Sequence, residues 1–206
     1  GVYLLVSDYK SSRRDIDPTR LWYGLQLQLL LYLQAACEGL DGNPAGAFYF
    51  TLKDPMVDTA DVKEAAEKAI AKKLHLKGIV LADVDVVEAL DSEPGYSFTK
   101  IFNADCSVAS SSDGYTPEEM AALLAHAKKM AAELADRIRS GEITPSPAVI
   151  RDWNACQWCD CAGVCKLDTS IPGHEKRELP PLSKQELLTR MANDTDAPGN
   201  EEDTSP

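Results

Sequence analysis

The chain opens on an apolar stretch, Gly1-Val2-Tyr3-Leu4-Leu5-Val6, that runs into Ser7-Asp8-Tyr9-Lys10. Loose alternation and β-favouring side chains predict a strand over residues 2–10. A polar, basic loop follows over residues 11–18. Leu21, Leu25, Gln28, Leu29 and Tyr32 then recur at helical spacing, which predicts one helix over residues 20–38, closed by the turn Asp41-Gly42-Asn43-Pro44. Residues 47–52 read as a second, buried strand. Residues 59–74 carry the Ala, Lys and Glu mixture of a surface helix. Residues 78–82 are a short apolar run, strand or turn, and residues 83–90 suit one or two helical turns. Residues 91–115 are polar and Ser-rich, with a hairpin expected around 96–109. The clearest local signal covers residues 117–140: Thr116 and Glu119 form a capping box, Pro117 suits the first helical position, and Gly141 stops the helix. Met120, Leu123, Leu124, Ala127, Ala131, Leu134 and Ile138 make its apolar stripe. Residues 142–155 read as an irregular connector. From about residue 175 the chain turns Pro-, Asp- and Glu-rich, with one short amphipathic piece at 183–191 and a disordered last dozen.

Composition narrows the class. With 206 residues, 44% hydrophobic and 26% charged, the chain suits one globular core. No apolar run reaches the ~20 residues of a membrane helix, and neither end reads as a secretory signal. The six Cys are too few for a disulfide scaffold of this size, so a reducing, cytoplasmic setting is expected. The net charge of −12 argues against a simple nucleic-acid binder but not against a catalytic module, whose metal-holding carboxylates are themselves acidic. The start without Met, inside a strand pattern, reads as part of a longer chain whose N-terminal portion is missing.

Two constellations carry chemistry. On a strand, Asp8 and Lys10 point to one face. The carboxylate suits Mg²⁺, the Tyr9 backbone carbonyl offers a second oxygen, and a neighbouring ammonium stabilises charge developing on a phosphate. The tripeptide by itself occurs by chance in many proteins and more often marks a surface ion pair at a strand end. The second constellation, Cys156-x₂-Cys159-x-Cys161-x₃-Cys165, has the crowding of a soft-metal site and suits either zinc or an iron–sulfur cluster. Cys37 ends an apolar helix face and reads as packing. Cys106 stands alone, and His75, His126 and His174 read as solvated surface residues. No Gly-rich phosphate loop and no G-x-S-x-G elbow occurs.

The order of three stretches adds to this. Ser7-Asp8-Tyr9-Lys10-Ser11-Ser12, then Tyr23-Gly24-Leu25-Gln26-Leu27-Gln28-Leu29-Leu30-Leu31-Tyr32-Leu33, then Pro44-Ala45-Gly46-Ala47-Phe48-Tyr49-Phe50 resembles the C-terminal nuclease domain of the AddB family, which serves in bacterial helicase–deoxyribonuclease complexes of double-strand-break repair. The run at residues 78–81, Tyr115-Thr116-Pro117-Glu118-Glu119 and the Cys block fall in the same order, so the resemblance spans residues 2–168. It implies an α/β, restriction-endonuclease-like PD-(D/E)XK core, incomplete at its N-terminus, over residues 1–152. An iron–sulfur Cys segment at 153–170 and an acidic, largely disordered tail at 171–206 complete the implied organisation. It further implies that Asp8 and Lys10 are the (D/E)XK pair using Mg²⁺, and that Gln28 and Tyr32 are a Q-x₃-Y motif that helps place DNA. Cys156, Cys159 and Cys165 are implied as three ligands of a 4Fe–4S cluster. The implied substrate is a DNA strand fed from a duplex end, and the implied partner is an AddA-type helicase–nuclease. The family's first acidic ligand and first cluster Cys would precede Gly1, so the isolated chain is expected to be inactive. Cys161 is an extra thiol, either idle or a substitute fourth ligand. The rival readings are a free-standing RecB-like exonuclease of the Cas4 type and a non-catalytic, zinc-stabilised interaction module.

Overall fold

Strand β1 spans Tyr3–Lys10 and alternates strictly: Leu4, Val6, Asp8 and Lys10 face inward, while Tyr3, Leu5, Ser7 and Tyr9 face solvent. That two-residue period is the physical consequence of the pleat, and it puts two ionisable side chains on the inward face. The computed structural model describes residues 1–52, 70, 74–91 and 97–195. The helix expected over 59–74 and part of the hairpin expected around 96–109 lie outside them, as does the chain beyond residue 195.

The expected helix over 20–38 is two helices. Helix α1 (Pro18–Trp22) ends at a tight turn, and α2 (Gln28–Leu40) begins after it. Gly24 makes the turn with φ +75°, a left-handed conformation that glycine adopts without steric cost. A Cβ there would also lie 2.8 Å from Met130 Cγ. A helical hydrophobic period carries no information about such a break, because the apolar side chains keep their spacing across it. Leu29, Leu30 and Leu33 form the buried face of α2, which packs on β1 and on β2 (Asn43–Thr51). At the C-terminal end of α2, Asp41 turns left-handed and its N–H returns to the Cys37 carbonyl. The chain therefore enters β2 at Asn43, four residues before the expected start, where Asn43 N–H donates to the Val2 carbonyl at 2.8 Å.

The first sheet has the order β1-β2-β3-β4, with β3 at Lys77–Leu81 and β4 at Gly114–Tyr115. β1 and β2 are parallel, β2 and β3 antiparallel, β3 and β4 parallel, so the sheet is mixed. The β1–β2 crossover through α2 is the βαβ solution to joining parallel strands. Phe48, Val80, Phe98 and Ile101 form the core cluster behind it, with Phe48 stacked on Phe98 at 5.7 Å. Helix α3 (Val84–Leu90) is capped by Asp83, whose side chain accepts from Val86 N–H at 3.2 Å. In place of a full hairpin, the described part of the 96–109 region holds a single antiparallel bridge, Phe102 to Val108.

Helix α4 spans Pro117–Arg139 and carries the expected capping box: Thr116 N–H donates to Glu119 at 2.9 Å and Glu119 N–H to Thr116 Oγ1 at 3.3 Å. Its stripe is buried at Met120, Leu123 and Ala127 but opens to solvent at Ile138. His126, expected on a polar surface, is buried, because it lies beside Leu123 and Ala127 on the packed face.

The connector is more structured than expected. β5 (Ala148–Ile150) and β6 (Trp153–Asn154) make a short antiparallel pair around Arg151, and β7 (Arg177–Glu178) pairs in parallel with β5. Helix α5 (Ala162–Cys165) is a single turn. The described part of the acidic tail is also held in place. Helix α6 (Lys184–Thr195) has its own capping box between Ser183 and Glu186, and it buries Leu187 and Met191 one turn apart. Leu179 and Leu182 are buried ahead of it, with Leu182 N–H donating to Thr19 Oγ1 at 2.9 Å. Four spaced apolar anchors suffice to order a segment whose average composition is that of a disordered one.

The chain divides into two compact units. The first takes residues 1–17 and 26–127. The second takes residues 18–25 and the described chain from 128 onward. Among the described residues, no helix is long and apolar enough to cross a membrane.

Candidate active site

Asp8 and Lys10 meet on the inward face of β1. Lys10 Nζ lies 2.6 Å from Asp8 Oδ2, with side chains 28% and 24% exposed. Asp8 Oδ2 itself is shielded from solvent and accepts no well-directed hydrogen bond among the described residues. Its close partner is the Lys10 ammonium; a carboxylate is a hard oxygen donor, so Asp8 fits as one ligand to Mg²⁺. It does not make a complete metal site, because no group of three or more His, Cys, Asp or Glu converges among the described residues. Tyr9, between the pair, points the other way and meets Phe50 edge-on at 5.6 Å.

The pair rests on β2. Asp8 is in register with Tyr49, and Lys10 Nζ stands 5.6 Å from the centre of the Tyr49 ring, within cation–π reach. Tyr49 is buried, and its hydroxyl accepts from Gln26 Nε2 at 3.3 Å. Gln26 also donates to the Asp15 carbonyl and accepts from Asp17 N–H, each at 2.9 Å. Neither Gln26 nor Tyr49 is singled out by the sequence. With residues 20–38 read as one helix, Gln26 sits on a different face from Gln28. The break after α1 takes Gln26 out of the helix and lets its amide reach loop 11–17.

Gln28 and Tyr32 lie at the start of α2, one turn apart on a solvent-exposed face, and Gln28 Nε2 donates to Tyr32 Oη at 3.1 Å. They form a pair of their own. Among the described residues no hydrogen bond or ion pair joins them to Asp8 or Lys10. Beside the site, loop 11–17 exposes Arg13, 3.5 Å from Asp15, and Arg14.

The cysteines do not gather. Cys156, Cys159, Cys161 and Cys165 are all exposed free thiols in the second unit. Backbone turns draw the segment together: Cys159 N–H donates to the Cys156 carbonyl at 3.3 Å, and Cys165 N–H to the Cys161 carbonyl at 2.8 Å. Their soft donor chemistry fits iron or zinc. Among the described residues no three of them converge as a metal-holding group. Cys37 is half-buried, and burial pushes its thiol pKa up, which suits packing and not reactivity.

The first sheet is thus mixed, with a βαβ crossover and an Asp-x-Lys pair on its first strand. The chain belongs to the PD-(D/E)XK nuclease superfamily, whose family model matches residues 1–166. Among curated proteins it is similar to the ATP-dependent helicase/deoxyribonuclease B subunit of Alkaliphilus metalliredigens, 31% identical over 95% of this chain and 18% of that protein. The proteins of the same name from Thermoanaerobacter sp. (strain X514) and Clostridium tetani are 31% and 35% identical, over 98% and 91% of this chain. The chain spans 17–18% of the length of these relatives.

Proposed function

We propose that this chain is the DNA-cutting module of an AddB-type helicase–nuclease protein, hydrolysing phosphodiester bonds with Mg²⁺ while broken duplex ends are prepared for recombination. The observation that carries the reading is the close Asp8–Lys10 pair, with its Asp8 Oδ2 shielded from solvent, on the first strand of a chain in this superfamily. Asp8, with the Tyr9 carbonyl, would hold Mg²⁺, which when bound supplies Lewis-acid activation of the phosphodiester. Lys10 holds its ammonium where it can orient the attacking water and offset negative charge on the phosphate. Gln28 and Tyr32, hydrogen-bonded and exposed, support the strand being cut. The partner is an AddA-type helicase–nuclease that feeds a single strand, and the setting is the cytoplasm.

Metal removal tests this reading. The full-length protein, assembled with its helicase partner, is expected to degrade linear duplex DNA with ATP and Mg²⁺. EDTA should stop the cutting, and excess Mg²⁺ should restore it. Cutting that continues in EDTA would refute the metal-assisted mechanism. The 206-residue chain alone is expected to cut weakly or not at all, since one carboxylate beside Lys10 does not build a complete metal centre.

The thiols at Cys156, Cys159 and Cys165 are assigned to a structural 4Fe–4S cluster whose binding would draw the segment together, as metal binding and local folding are coupled. Anaerobic purification of the full-length protein should give iron and acid-labile sulfide in near-equal amounts. Zinc retained after reconstitution with iron and sulfide would shift the segment to the interaction-module reading.

A further inference from the structure

Loop 11–17 leaves β1 immediately after Lys10 and has no helix or strand of its own. Such a segment is free to wander unless its backbone groups are tied down. The Gln26 side chain is one of its ties. Gln26 Oε1 accepts from Asp17 N–H, and Gln26 Nε2 donates to the Asp15 carbonyl, both at 2.9 Å. The second Nε2 hydrogen reaches Tyr49 Oη at 3.3 Å. Both hydrogens of the amide are thus used, one on the loop and one on the sheet. The sheet end of the latch is no arbitrary anchor. Tyr49 is buried, is in register with Asp8, and carries Lys10 over its ring.

The latch confines residues 11–14 between the end of β1 and the pinned Asp15. Two cations lie in that span. Arg13 is loosely paired with Asp15, both 59% exposed. Arg14 is exposed and makes no ion pair or hydrogen bond among the described residues. A guanidinium held a few residues from a phosphodiester-cutting pair is suited to a backbone phosphate by charge and fork geometry. In a chain of net charge −12, a local cation beside the site matters more than it would in a basic one.

We propose that Gln26 is a positioning residue that latches loop 11–17 to Tyr49, so that Arg14 engages a backbone phosphate of the DNA strand presented to Asp8 and Lys10. The proposal rests on the nuclease reading for its substrate. The latch itself stands on geometry.

The test uses the full-length protein in its complex, the partner's own nuclease site inactivated, with Arg14→Ala, Gln26→Ala, the double variant, and the near-isosteric Gln26→Glu. Steady-state cleavage of a single-stranded oligodeoxynucleotide gives kcat and KM. Arg14→Ala and Gln26→Ala are each expected to raise KM about fivefold, with kcat within about twofold, the scale of one lost hydrogen bond or phosphate contact. The double variant should be no worse than the singles, because both remove one contact. Gln26→Glu keeps the acceptor for Asp17 N–H but sets an oxygen against the Asp15 carbonyl, and it should behave like Gln26→Ala with an unchanged melting temperature. A KM unaffected by Gln26→Ala, or multiplied effects in the double variant, overturns the proposal. A merely structural glutamine would lower stability without this split and without non-additivity. Limited trypsin digestion gives a readout independent of activity: cleavage after Arg13 and Arg14 should be several-fold faster in Gln26→Ala. Equal cutting overturns the latch. If the wild-type protein fails to cleave DNA, the nuclease reading has failed. Trypsin accessibility, with binding of a fluorescein-labelled oligodeoxynucleotide in place of KM, then decides the latch.

Discussion

With the partner's own nuclease site inactivated, replacing Asp8 with Asn is expected to reduce DNA cleavage by the full-length protein about a thousandfold, corresponding to ~4 kcal/mol of lost transition-state stabilisation. The substitution keeps size and shape and removes one negative charge. Two consequences follow at once: the cation loses its anionic ligand, and Lys10 loses the counter-charge 2.6 Å away. The size of the effect separates chemistry from folding. The pair is about a quarter exposed on each side, so solvent screens it and its contribution to stability is about 1 kcal/mol or less. A melting temperature within a few degrees of wild type, together with the large loss of cleavage, would identify Asp8 as catalytic. Cleavage retained within about tenfold would show that the metal ligand lies elsewhere. The natural assay is initial-rate degradation of end-labelled linear DNA at saturating Mg²⁺ by the complex proposed above, with size-exclusion chromatography as the control for intact assembly.

Substitution of Gly78 by Ala is expected to be the most damaging single-methyl change to the first unit. Gly78 faces Phe48 across the antiparallel β2–β3 pair. A Cβ at this position would sit 2.0 Å from the Ala47 carbonyl oxygen and 2.8 Å from Phe48 Cα. Both are backbone atoms, so no side-chain rotation relieves the clash, and the two strands must separate. Phe48 is fully buried and stacked on Phe98, which makes that separation a disruption of the core cluster. Overpacking of this kind costs about 3 kcal/mol, or a fall in melting temperature of roughly 10 °C for a domain of this size. Gly39→Ala is the control. Its Cβ meets nothing within 4 Å on helix α2, and the change should be neutral or slightly stabilising, because alanine is the better helix former. Thermal unfolding by circular dichroism distinguishes the two. Similar melting temperatures for both variants would mean that β2 and β3 do not approach as closely as described.

Much of the local structure is legible along the chain, for reasons that are themselves local. β1 is visible because a strand with one buried face must alternate. Helix α4 is visible because its Thr116–Glu119 box and its apolar stripe are both written within a few residues of where they act. The Asp8–Lys10 pairing follows from the same two-residue period, and the ordered stretches around it carry the resemblance to a nuclease family of which the chain is a member. The break between α1 and α2 is different. It depends on Gly24 adopting a left-handed turn, with a Cβ-free surface against Met130 more than a hundred residues later. No window of sequence contains both partners.

The tail shows the same limit from the opposite direction. Its composition is that of a disordered segment, yet Leu182, Leu187 and Met191 are buried and Leu182 is held by Thr19. Composition averages over positions, whereas burial depends on a few of them at the right spacing. Gln26 and Tyr49 make the point at the candidate site. Neither residue type nor neighbourhood marks them, and each becomes significant only when the sheet sets Tyr49 beside Asp8 and the helix break frees Gln26 to reach loop 11–17.

By itself the sequence determined the periodic elements, the Asp8–Lys10 pair and the family, because each is encoded by residues near one another or by an ordered set of short motifs. Only the tertiary structure decided where the long helix breaks, how the described tail is anchored, and which glutamine hydrogen-bonds to Tyr49 beside Asp8. Each of these depends on groups that are not neighbours along the chain, and its free energy exists only once the backbone has brought them together.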